Sequence, residues 1–120
     1  METAQEHKDD LDLKDLGHFT GTEQYHNVMG TNITDGVAYI MNNGYCWFIT
    51  DSLVIINSKL KNEEFITAKL KVNTEKKTAQ MILTDGNDKI LYTQDYEYTN
   101  AKRDLTLFFT DNVYLLDSEY

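Results

Sequence analysis

Proline is absent from this chain, and cysteine and tryptophan occur once each, as Cys46 and Trp47. Without proline there is no polyproline linker, no ring-induced helix kink and no slow X–Pro isomerisation. One thiol cannot close a disulfide within the chain, which fits a reducing compartment, and in an apolar block it behaves as a small hydrophobe. Long apolar runs are missing too. No segment approaches the roughly 18 uninterrupted apolar residues of a membrane span. The start METAQEHKDDLDL has neither the basic flank nor the apolar stretch of a signal peptide. Lys and Arg are absent between Gly17 and Ser58, where the acids are only Glu23, Asp35 and Asp51. A soluble protein of the cytoplasm is expected.

What the chain has in excess is acid, with 20 Asp and Glu against 11 Lys and Arg and a net charge of −9. At 120 residues it suits one domain that buries roughly two thirds of its unfolded surface. Its expected organisation is an acidic N-terminal arm or short helix over residues 1–16, followed by a single α+β domain over residues 17–120.

The densest apolar run, TDGVAYIMNNGYCWFITDSLVII from Thr34 to Ile56, should form the centre. Cys46, Ile49, Leu53, Ile56 and Leu60 recur at helical steps, yet the β-branched and aromatic content suits buried strands equally. The flanks favour helix. Thr34 and Asp35 can cap a helix start, and Asn42, Asn43 and Gly44 provide a left-handed stop, so two helices are expected at 35–43 and 45–60. From Glu64 the period becomes two, with Ile66, Ala68, Leu70 and Val72 on one face, and Ala79, Met81 and Leu83 repeat it. The DGND turn at 85–88 leads to a strand with Ile90, Tyr92, Gln94, Tyr96 and Tyr98 on one face, and further strands follow at 105–110 and 113–116. Short turns between consecutive strands predict an antiparallel meander of four to five strands with two central helices packed on one face.

No catalytic motif emerges. His26, Asp35 and Cys46 have the chemistry of a base, an orienter and a nucleophile, but no cysteine-hydrolase signature surrounds Cys46. His7, His18 and His26 lack zinc-ligand spacing, and Asp85, Asn87 and Asp88 lack the spacing of a calcium loop. Asp95 and Glu97 share a strand face, where acids are usually solvated. Tyr92, Tyr96 and Tyr98 could stack bases, but the acidic balance opposes nucleic-acid binding, so packing under the helices explains them better. No catalytic residue, cofactor or metal is expected, and no membrane contact.

The expected partner is a basic protein surface, such as that of a nucleic-acid-binding effector. Asp9, Asp10, Asp12, Asp15, Asp95, Glu97, Asp117 and Glu119 are the candidate contacts, and opposite charge would steer and orient such an encounter. Two alternatives stand beside it: a small enzyme or ligand-binding module with a pocket near His26, Asp35 and Trp47, and a structural homodimer joined through a strand edge.

The blocks FTGTEQYH at 19–26, TDGVAYI at 34–40, Trp47 with Phe48, LYTQDYEYT at 91–99 and the terminal LLDSEY resemble a family of small proteins of unknown function from bacteria, their phages and mobile elements. The resemblance covers about residues 16–120 and brings no catalytic residue. It implies helix over Phe48–Asn57. By analogy with other small acidic proteins of such elements, it suggests an inhibitor of a host defence protein, such as an RNA-guided (CRISPR) nuclease.

Overall fold

The computed structural model describes residues 11–21, 24–87 and 89–120. Alternation from Phe65 onward builds the middle of a sheet, because Ile66, Ala68 and Leu70 turn inward and are fully covered. The strands are β1 (His26–Val28), β2 (Thr31–Ile33), β3 (Phe65–Asn73), β4 (Thr78–Asp85), β5 (Ile90–Tyr96), β6 (Leu105–Thr110) and β7 (Val113–Leu116). They form a seven-stranded sheet in the order β1-β2-β7-β6-β3-β4-β5.

This corrects the expected meander in three ways. The sheet has seven strands, it is mixed because β2 runs parallel to β7, and β6 lies against β3 instead of β5. The β3-β4-β5-β6 unit is thus a Greek key, in which the fourth strand returns beside the first. Burial decides the placement. Leu105 and Leu107 oppose Leu70 and Ala68 in the β3–β6 register, and all four are covered. The mixed Tyr, Gln and Asp face of β5 suits the rim of the sheet.

β1 and β2 close through Met29 and Gly30, both at positive φ (54° and 83°), the geometry of a two-residue hairpin. Asn112 then ties this hairpin to the β6–β7 turn. Its side chain donates to the Gly30 carbonyl at 3.0 Å, and its own carbonyl accepts from the Asn32 amide at 3.1 Å.

The two expected helices are one helical segment of 25 residues. Its limbs, α1 (Asp35–Ile40) and α2 (Cys46–Lys59), join through a π-turn at Met41–Tyr45. Asn43 (φ −122°) and Gly44 (φ 100°) leave helical geometry there, so the left-handed glycine bends the rod without ending it. The Asn43 side chain donates to the Tyr39 carbonyl at 2.8 Å and Trp47 Nε1 to the Gly44 carbonyl at 2.8 Å, which occupies carbonyls freed by the bend. Thr34 caps α1 as expected, accepting from the Val37 amide.

The helical segment covers one face of the sheet. Phe48, Ile49, Leu53 and Ile56 of α2 are buried against Met81, Leu83 and Leu107, each contributing roughly 1.5–3 kcal/mol of burial. Leu13, at positive φ, is also fully buried, so residues 11–16 are anchored in this core. Cys46, expected inside, is exposed. Among the described residues no helix is long and apolar enough to cross a membrane.

Candidate functional site

Two places gather polar chemistry, and the first lies where α1 begins. His26 Nε2 meets Asp35 Oδ1 at 3.0 Å, the side chains 38% and 26% exposed. Glu119, folded back from the C-terminal turn Asp117–Glu119, accepts from Thr34 Oγ1 at 2.5 Å, the Gly36 amide at 3.1 Å and the Leu116 amide at 3.0 Å. A carboxylate at a helix start binds otherwise unpaired amides and favours the dipole. Gly36 is required there, because a Cβ would stand 2.5 Å from Leu116 Cδ1 and 2.8 Å from Glu119 Oε1. Ser118 Oγ donates to the Phe19 carbonyl at 2.8 Å. The quoted blocks FTGTEQYH, TDGVAYI and LLDSEY, distant in sequence, therefore meet in one knot.

That knot is a clasp. The carboxylate of Glu119 is spent on hydrogen bonds inside the chain. The exposed Cys46 sits eleven residues beyond Asp35, roughly 16 Å of helical rise, and so does not complete a triad with His26 and Asp35. Trp47 stands beyond the bend, away from His26 and Asp35, and lines a hollow with Tyr96, Tyr98 and Thr99 instead.

The second place is the rim at β5. Trp47, Tyr96, Tyr98 and Thr99 line a hollow of about 250 Å³. The rings of Trp47 and Tyr96 lie 4.7 Å apart at 67°, forming a corner, and Tyr98 is 69% exposed. Behind the corner, Tyr96 Oη donates to Asp51 Oδ2 at 2.9 Å, and Gln94 Nε2 approaches the same oxygen at 3.4 Å. Burial first, and then the Asp51 carboxylate, push the Tyr96 phenol well above its usual range, so its proton stays on that bond. Tyr92 and Tyr96 pack beneath the helix as expected. Tyr98 does not, because β5 ends at Tyr96.

The candidate acids are distributed around the molecule. Asp95 and Glu97 are exposed at the β5 rim, where Asp95 accepts from Gln80 Nε2 at 2.9 Å. Asp117 and Glu119 follow β7, four strand spacings away, about 19 Å across the sheet. Asp12 and Asp15 are exposed on the segment anchored by Leu13. Leu11 lines a hollow with Thr99, Asn100 and Lys102, so this segment enters the body beside the chain leaving β5. Asp9 and Asp10 lie outside the described residues. The structure therefore does not gather the described candidates into one patch: Asp95 and Glu97 line a hollow with Lys71 and Tyr96, next to the aromatic one, and Asp12 lies across the β5–β6 connection. The hollow had one sequence signal, the alternation Gln94, Tyr96, Tyr98 beside the only tryptophan, which points as readily to core packing.

In class, the chain is a small α+β domain, a mixed Greek-key sheet under one bent helix. It belongs to the family of unknown function DUF6876, which matches residues 10–120. No curated protein matches the chain. No solved structure matches it either.

Proposed function

We propose that the chain is a non-enzymatic binding protein that docks on a basic protein surface through the β5 rim. The observation that carries this reading is the free edge itself. β5 ends the sheet, presents Asp95 and Glu97 to solvent, and leads directly into the exposed Tyr98 beside the aromatic hollow. Exposed acids give such a surface steering and orientation, and a large exposed ring supplies contact area. The net charge of −9 adds long-range attraction to a basic partner. The finer form of the proposal follows the resemblance to proteins of phages and mobile elements: the partner is a nucleic-acid-handling defence nuclease of the RNA-guided (CRISPR) kind, met in the host-cell cytoplasm, and the acids occupy a channel that otherwise holds nucleic acid.

The test is inhibition of DNA cleavage by a panel of purified RNA-guided nucleases, with and without the chain at equal concentration. Inhibition of one nuclease is expected, weakened at least tenfold by the Asp95→Asn/Glu97→Gln double substitution. Full cleavage across the panel would remove the nuclease partner. Inhibition untouched by the substitutions would remove the β5 rim.

A further inference from the structure

The geometry points to a specific occupant for the hollow at the end of β5: the guanidinium of an arginine from the basic partner, held between Trp47, Tyr96 and Tyr98 and paired to Asp51. This inference rests on the docking reading above and names the group that reading would bring to the surface.

Four observations converge on it. The walls are aromatic, with the Trp47 and Tyr96 rings at 67° and Tyr98 mostly exposed beside them, so π-faces border one space. A cation within about 6 Å of a ring centroid is attracted by the ring quadrupole, most strongly by tryptophan. The space, about 250 Å³, equals roughly eight water volumes, more than the four heavy atoms of a guanidinium need. Asp51 lies one helical turn beyond Trp47 on the same helix face and is hydrogen-bonded to the Tyr96 wall. Both of its bonds fall on Oδ2, and among the described residues nothing bonds Oδ1, which leaves that oxygen to a donor reaching past the Tyr96 wall.

Among the described residues no Lys or Arg lines this hollow. Lys71 shares a neighbouring one with Asp95, Tyr96 and Glu97, and Lys77 and Lys102 line another on the other side of Thr99. Arginine is the better occupant than lysine. Its plane stacks on rings, it is weakly hydrated, and its fork of N–H groups can reach a carboxylate while the plane remains between aromatic faces. A lysine ammonium keeps more of its hydration and has no plane to stack.

Trp47 is the only tryptophan, so its emission arises from this wall of the hollow, and its indole N–H, bonded to the Gly44 carbonyl, is a second single resonance. The probes are the peptides acetyl-Gly-Arg-Gly-amide, its lysine counterpart and its citrulline counterpart, which keeps the shape of arginine and lacks the charge. The arginine peptide is expected to shift the Trp47 signals saturably in the millimolar range. Lysine should bind at least threefold more weakly, and citrulline should give no saturable shift. Tyr98→Ala, at a mostly exposed position, should keep the fold and weaken arginine binding at least fivefold, and Asp51→Asn should weaken it similarly.

Equal shifts from citrulline and arginine would overturn the inference, because stacking without charge would then explain them. So would a lysine preference, an unchanged affinity in Tyr98→Ala, or shifts that map away from Trp47. The two proposals fail separately. A chain that inhibits a nuclease but takes no arginine peptide keeps its docking function and loses this occupant. A chain that takes the peptide but inhibits no nuclease keeps the occupant and loses that partner.

Discussion

Glu119 and Gly36 form the tightest polar junction at single-residue scale. The carboxylate accepts three hydrogen bonds, two of them from the start of α1, and the missing Cβ of Gly36 leaves room for it. Glu119→Ala removes all three acceptor contacts and should destabilise the chain by about 1–3 kcal/mol in urea unfolding. Gly36→Ala should cost about 1–3 kcal/mol in the same assay, because Leu116 is buried and Glu119 is pinned, so neither yields easily. Tyr114 sets an alkaline limit. It is fully buried, its hydroxyl 2.7 Å from Ser52 Oγ, and burial raises its pKa despite that bond. A raised folded pKa means the neutral phenol is favoured in the folded chain, so its stabilisation is complete below the unfolded value near 10. As pH rises above about 10, stability should fall by up to about 1.4 kcal/mol per pH unit from this residue until the folded phenol titrates. Thermal unfolding between pH 9 and 12 checks this, with Tyr114→Phe flattening the slope.

Among the elements, the five strands from β3 to β7 were legible because β3 and much of β4 and β5 alternate, and polar turns bound the two short apolar strands that follow. The stretch from about Glu23 to Val28 reads as extended and covers β1, whereas β2 was obscured because it holds three residues and because the left-handed first turn position is Met29, a residue turn rules do not point to. The parallel pairing of β2 with β7 depends on the long-range bonds of Asn112, which no local pattern encodes. The sequence signal for a left-handed glycine after Asn43 was right, but it marks a bend: Trp47 and Asn43 side chains occupy the carbonyls a true terminus would expose. Gly44→Ala forces a side chain into φ 100° and should cost about 1–2 kcal/mol, read by urea unfolding. As for the candidate sites, the His26–Asp35 contact was legible in residue type, whereas its distance from Cys46 and Trp47 required the folded helix. Asp95, Glu97 and the tyrosines were visible as one strand, but only the Greek key shows that this strand is a free edge, because a meander would have covered it with β6.

For the whole molecule, one consequence of the fold is an asymmetric rim. One end of the sheet is a three-residue strand, and the other is β5, with two exposed acids, an open aromatic corner and a carboxylate behind it. Asp117 and Glu119 lie toward the opposite side, and Glu119 is committed to the helix start, so the charge of the chain is not one continuous face. Docking on a basic surface therefore makes a directional claim. Substitutions at Asp95 and Glu97 should weaken a partner and flatten its salt dependence, while Asp117→Asn should leave both nearly unchanged. The most direct measurement is the affinity of the chain for a nuclease it inhibits, taken at rising salt for the native sequence and for Asp95→Asn/Glu97→Gln. Docking through the β5 rim predicts affinity that falls steeply with salt in the native chain, and weaker affinity with a shallower slope in the variant. Equal affinities and equal slopes for the two would contradict it.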